Sequence, residues 1–71
     1  MARWEQYEVW ALPEGENSRW EMIAAFTEFE VASAVARKRR SNVRLIHAVY
    51  DGSKLIEKHI LADLGQIREA S

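Results

Sequence analysis

Seventy-one residues with 48% hydrophobic content, three tryptophans and a net charge of −1 describe one folded domain, not a disordered chain. The absence of cysteine excludes disulfides and thiolate metal sites as staples, and does not indicate an oxidising compartment. No run approaches the roughly 18 consecutive apolar residues of a membrane span, and Met1-Ala2-Arg3-Trp4-Glu5 lacks the apolar core of a signal peptide, so a cytoplasmic domain with no membrane partner is expected.

A chain this short buries only about 60% of the surface it exposes when unfolded. With no staple available, a partner is the expected supplement, either another copy of the chain (a homodimer) or a different protein. The charge is unevenly placed. Seven Glu against Arg3 and Arg19 lie between Met1 and Val31, and eight Lys/Arg against Asp51, Glu57, Asp63 and Glu69 lie beyond. Such asymmetry raises the question of nucleic acid or an acidic partner, although separate solvated elements explain it equally well.

In chain order, Trp4 to Leu12 alternates as a strand, with Tyr7, Val9 and Ala11 on one face and Trp4, Gln6, Glu8, Trp10 and Leu12 on the other. Pro13 to Arg19 is turn chemistry. Trp20 to Phe26 reads as a second strand, with Trp20, Met22, Ala24 and Phe26 sharing a face. Thr27 and Glu30 then have the spacing of a capping box, and Phe26 with Val31 that of a hydrophobic staple. A helix is therefore expected from Glu28 to about Arg40, its apolar arc formed by Phe29, Val31, Ala32, Val35 and Ala36. Glu28 and Glu30 in its first turn and Arg37-Lys38-Arg39-Arg40 in its last complement the helix dipole.

Val43 to Tyr50 is a strand rich in β-branched residues, and Asp51-Gly52 after it signals a hairpin returning through Leu55 to Leu61. The competing reading caps a helix at Ser53, places Ile56, Ile60, Leu64 and Ile67 at helical spacing and stops it at Gly65. Asp-Gly favours the strand, because Val43 to Tyr50 otherwise has no local partner. The ends, 1–3 and 66–71, are expected to fray. From Val43 to Gly65 the apolar strand, the Asp-Gly-Ser-Lys turn and the closing Leu-Gly resemble a hairpin near the amino ends of some insertion-sequence transposases. The match covers about a third of the chain and brings no acidic catalytic constellation, so it implies the hairpin and no activity.

The predicted fold is α+β, a single β-β-α-β-β domain over residues 1–71, with a four-stranded antiparallel sheet in the order 2-1-3-4 and one helix on one face. A single helix leaves the other face uncovered, and whichever face that is still carries large apolar side chains, Trp10 and Leu12 or Tyr7 and Val9 together with Ile46 and Tyr50 or Leu45 and Val49. The candidate surface is Trp10, Leu12, Ile46 and Tyr50. An uncovered apolar face marks an interaction surface. The expected function is therefore a non-enzymatic protein–protein interaction module, acting through the sheet face or an edge strand and associating with itself. The alternative is nucleic-acid association through Arg37, Lys38, Arg39 and Arg40 with Arg44.

Catalytic chemistry finds no support. Gly15, Gly52 and Gly65 are isolated, so no phosphate-cradling loop forms, and Ser53 is ordinary turn chemistry. His47, Glu57 and His59 share a face in one hairpin register and resemble an open divalent-metal set there, but a shift by one residue separates them. No cofactor is expected.

Overall fold

The computed structural model describes residues 2–14, 18–39 and 42–64. It contains β1 (Arg3–Ala11), β2 (Glu21–Phe26), α1 (Phe29–Arg39), β3 (Val43–Asp51) and β4 (Lys54–Leu64). The four strands form one antiparallel sheet in the order β2-β1-β3-β4, the expected topology. Residues 54–64 form a strand, so the Asp-Gly turn outweighs the helical spacing of Ile56, Ile60 and Leu64. Arg40, Gly65 and the tail to Ser71 lie outside the described residues.

The β3–β4 connection is as short as the sequence demands. Asp51 pairs with Lys54, which leaves Gly52-Ser53 as a two-residue loop. Gly52 has φ +64° and Ser53 is not in the left-handed region, the pattern of a type II′ hairpin, which takes glycine at its first central position. Its tip is tied to the start of β1, since the Trp4 indole N–H donates to the Gly52 carbonyl at 2.7 Å and the Gly52 N–H to the Ala2 carbonyl at 3.0 Å. At the opposite end of the sheet Asn42 takes φ +53° between α1 and β3, and its carbonyl accepts from the Leu12 N–H at 2.9 Å.

The helix begins at Phe29, with the Ala32 N–H donating to the Glu28 carbonyl at 3.2 Å. No reciprocal Thr27–Glu30 side-chain bonds form among the described residues, so the start of α1 is set by its packing and its first turn. Ala32 and Ala36 are its buried residues, one turn apart, with Val35 half-buried beside them. Small side chains there let the helix lie close to the sheet, where Val9, Val43 and Leu45 complete the core, flanked by Tyr7, Ala24, Phe26 and Ala62. Phe29 and Val31, expected in the same arc, are exposed. Val31 precedes Ala32 by one residue, about 100° around the helix, and so falls off the narrow alanine stripe.

One strand face differs from its alternation. Val9 pairs with Ala24 but Trp10 pairs with Met22, so Ile23 is a bulge. Ala24 and Phe26 therefore face the helix, whereas Met22 shares the opposite face with Trp10. The helix packs on β1, β2 and β3, and β4 projects beyond it.

Since Ala36 is 1% exposed in the core between helix and sheet, Ala36→Leu is expected to destabilise the domain by about 1–3 kcal/mol through overpacking. Urea unfolding would register this as a lower midpoint with an unchanged slope.

Candidate interaction surface

The face away from the helix is closed by its own side chains around a buried carboxylate. Gln6, Glu8 and Trp10 alternate along β1 and so point to that face together, while Tyr50 reaches it from β3. Glu8 is 2% exposed. Its carboxylate accepts from the Gln6 amide at 2.7 Å, the Trp10 indole N–H at 2.8 Å and the Tyr50 hydroxyl. The Tyr50 ring stacks on Trp4, with centroids 4.4 Å apart and planes 14° from parallel. In register terms the Tyr50–Glu8 bond passes over Gln6 and Ala48, and Ala48 is fully buried.

Burial works to raise the Glu8 pKa, but the bonds from Tyr50, Gln6 and Trp10 and the charge of Lys58 together outweigh it. The carboxyl is held below its usual value of 4.5. Tyr50 moves the other way. Its hydroxyl titrates above the usual 10.0 because it donates to Glu8, because it is partly buried and because Glu8 is charged.

The sequence-predicted face residues therefore divide. Ile46 is 4% exposed, and Trp10, Leu12 and Tyr50 are half-buried. They are together on the face away from the helix as expected, except that Leu12 lies just past the end of β1. Trp10 and Tyr50 are held against Glu8, and Tyr50 also against Trp4. Arg44 and Lys58 flank Trp10 and Ile46, and Leu12 lines a separate cleft with Lys38 and Arg39. A recess of about 190 Å³ lies between Trp10, Trp20, Arg44, Ile46 and Lys58, and Trp4 and Met22 on the same face are exposed.

Exposed aliphatic surface is instead concentrated on β4, one edge of the sheet. Leu55, Ile56, Ile60 and Leu61 are all exposed, Ile60 by 51%. Leu55 is opposite Tyr50 and Ile60 opposite Ile46, so both lie on the face away from the helix. Ile56 and Leu61 have no partner on β3 because the register shifts at each of them, making them bulge residues. Two signals could have located this strip. Leu55-Ile56 and Ile60-Leu61 are adjacent apolar pairs, which a regular strand cannot bury on one face, and β4 is the last strand of an order that leaves it at the edge.

On the helix side, beyond the helix itself, a row of rings crosses the sheet. Phe29 meets Tyr7 edge-on at 5.7 Å, Tyr7 stacks on His47 at 5.0 Å, and His47 lies 6.1 Å from His59. His47 and His59 are direct cross-strand partners, and Glu57 shares their face, the register in which a metal set was conceivable. His47 bonds to Glu5, and His59 lies 3.4 Å from Glu57. Among the described residues no group of three or more such side chains is placed to hold a metal ion.

The basic residues are not one patch. Arg37, Lys38 and Arg39 are exposed at the end of α1, and Arg40 lies outside the described residues. Lys38 and Arg39 share a cleft of about 520 Å³ with Glu14 and Glu21, so its charge is mixed. Arg44 lies between Val43 and Leu45, which face the helix, and so points to the opposite side of the sheet. There its guanidinium bonds to Asp63 at 3.1 Å and lies 4.1 Å over the Trp20 ring.

No family model matches the chain, and neither does any curated protein or solved structure searched. No helix among the described residues is long and apolar enough to cross a membrane.

Glu8→Gln keeps the shape and removes the charge. It is expected to cost about 1.5–3 kcal/mol near neutral pH, the range for hydrogen bonds to a charged group. Because the folded pKa of Glu8 is depressed, the unfolded chain binds the proton first on acidification. Its stabilisation is complete above about pH 4.5 and is lost as pH falls through the folded value. The wild-type and Glu8→Gln stability curves should therefore converge on the acid side. For Tyr50, with a raised folded pKa, the contribution holds below pH 10.0 and is lost as pH rises through the folded value. Urea midpoints measured across pH in both proteins check each limb.

Proposed function

We propose that this chain is a non-enzymatic protein–protein interaction module of the cytoplasm that binds by adding a strand to the free edge of β4. The observation that carries this reading is the state of β4: from Lys54 to Asp63 every residue but Ala62 is exposed, and four of them are large aliphatics. An edge strand presents unpaired N–H and C=O groups in register, and main-chain pairing supplies affinity while alternate side chains supply specificity. Bulges and lysines often blunt such an edge. Here the two bulges carry Ile56 and Leu61, so they add apolar contact at the places where the ladder is interrupted.

Nucleic-acid binding through the helix end has less support, because Arg44 is turned to the opposite face and Lys38 and Arg39 have Glu14 and Glu21 beside them. A dedicated binder presents one continuous basic surface.

Ile60→Lys combined with Leu61→Lys places two charges on the proposed surface at exposed sites, where the fold should change by no more than about 0.5 kcal/mol. Sedimentation of the purified chain, and retention of partners from a cell extract by a tagged chain, are expected to show association in the wild type and none in the variant. Equal association in both would overturn the reading.

A further inference from the structure

Residues 55–61 read Leu-Ile-Glu-Lys-His-Ile-Leu. In chemical character this is a palindrome about Lys58: two aliphatics, a carboxylate, the lysine, an imidazole and two aliphatics. Such a segment is self-complementary when two copies run antiparallel, because a two-fold axis perpendicular to the sheet sets residues equally far before and after the centre against each other. We propose that β4 pairs antiparallel with β4 of a second copy of this chain, in the register centred on Lys58, joining two four-stranded sheets into one. This rests on the reading of β4 as the binding edge, and adds the occupant and its register.

The aliphatics meet in that register. Leu55 lies against Leu61 of the second copy and Ile56 against its Ile60, each contact made twice. These four are the exposed large hydrophobics of β4, so one contact strip removes all of them from water, the dominant favourable term in association. Each bulge residue, left without a partner on β3, gains one across the axis.

The polar groups also match, a carboxylate against an imidazole that can donate to it. Glu57 faces His59 of the second copy and His59 faces its Glu57, both on the helix side of the sheet, where they are opposite Val49 and His47. Opposed groups of this kind favour a cross-strand pair, whereas like charges oppose it. The one like-charged approach is Lys58 against Lys58 at the axis. That side chain is on the face away from the helix, the face of Glu8, whose negative charge is near enough to interact with it.

Neighbouring registers fail on the same criteria. A two-fold perpendicular to the sheet preserves faces, so a centre lying between two residues would set groups of opposite faces against each other over the regular stretch from Glu57 to Ile60. A centre at Glu57 puts that carboxylate against itself and Ile56 against Lys58. A centre at His59 puts Ile60 against Lys58 and Glu57 against Leu61. With the centre at Lys58 every pair but that of Lys58 with itself at the axis is matched, and the nearby Glu8 charge lies on the face of that one exception.

The chain has no cysteine, so each single-cysteine variant carries one thiol, and position 58 is the only one that faces itself. Opposed Cα atoms in an antiparallel pair lie about 4.5–5.5 Å apart, inside the disulfide range of about 4.4–6.8 Å. Position 60 of one copy is displaced from position 60 of the other by four residues, about 13 Å. Under mild oxidation Lys58→Cys is expected to convert to a covalent species of twice 8.2 kDa. Ile60→Cys alone should stay monomeric, and Ile56→Cys mixed with Ile60→Cys should cross-link. Tryptophan emission matching the wild type confirms that each variant is folded.

Cross-linking at 60 as fast as at 58, or none at 58, overturns the register. If the wild type nevertheless forms a larger species that Ile60→Lys with Leu61→Lys abolishes, the edge reading survives without it. If the wild type sediments at 8.2 kDa at every concentration while retaining another protein through β4, the second copy is ruled out and the edge reading again survives. Loss of both associations removes both.

Discussion

The structure depends on a carboxylate in an unusual place. A single helix closes one side of this sheet, and the other side has no layer of its own. Glu8 resolves this by gathering Gln6, Trp10 and Tyr50 around one buried charge, so that long and aromatic side chains lie down along the sheet instead of standing into water. A charge so buried is tolerable only with its hydrogen bonds made, and here three donors meet it. Removing the carboxylate would release the rings as well as the bonds, because Tyr50 is held at one end by Trp4 and at the other by Glu8.

The two sides of the sheet are thus closed by different physics, and each device meets β4 only at its margin, through Ala62 on the core side and Lys58 on the other. The alanine stripe of α1 is narrow and lies over β1, β2 and β3. The Glu8 network is centred on β1 and spends its reach on β3. The rest of β4 carries exposed aliphatics and is ordered along its length by pairing with β3. Exposure at this edge follows from the elements present: one eleven-residue helix cannot cover four strands, and the described residues hold no second helix.

Much of the architecture was legible in the residues. Alternation grouped Tyr7, Val9 and Ala11 on one face, Asp51-Gly52 fixed the last hairpin, and the four strands with one helix left few ways to order the sheet; which face meets the core came from the structure. The bulges at Ile23, Ile56 and Leu61 were not legible, because a bulge is a property of two strands and appears in neither sequence alone. The one at Ile23 moved Met22 to the other face. Glu8 was missed for a related reason. A glutamate alternating with aromatics reads as a solvated position, and its burial depends on Tyr50, which is 42 residues away in the chain. Alternation correctly identified the face holding Trp10, Ile46 and Tyr50 but said nothing of which side chains fold over it. The shift of attention from that face to β4 follows from this.

β1 serves two environments with alternate residues, since Val9 completes the aliphatic core and its neighbour Glu8 anchors the polar network behind it. Adding or deleting one residue within this strand would exchange the two, driving a carboxylate into the alanine-lined core and a valine into a ring of hydrogen-bond donors. β4 has already absorbed two such irregularities at Ile56 and Leu61 without losing its pairing to β3. An added residue is therefore accommodated at the margin of this sheet, where a bulge leaves the pairing intact, whereas at its centre it would exchange the two environments.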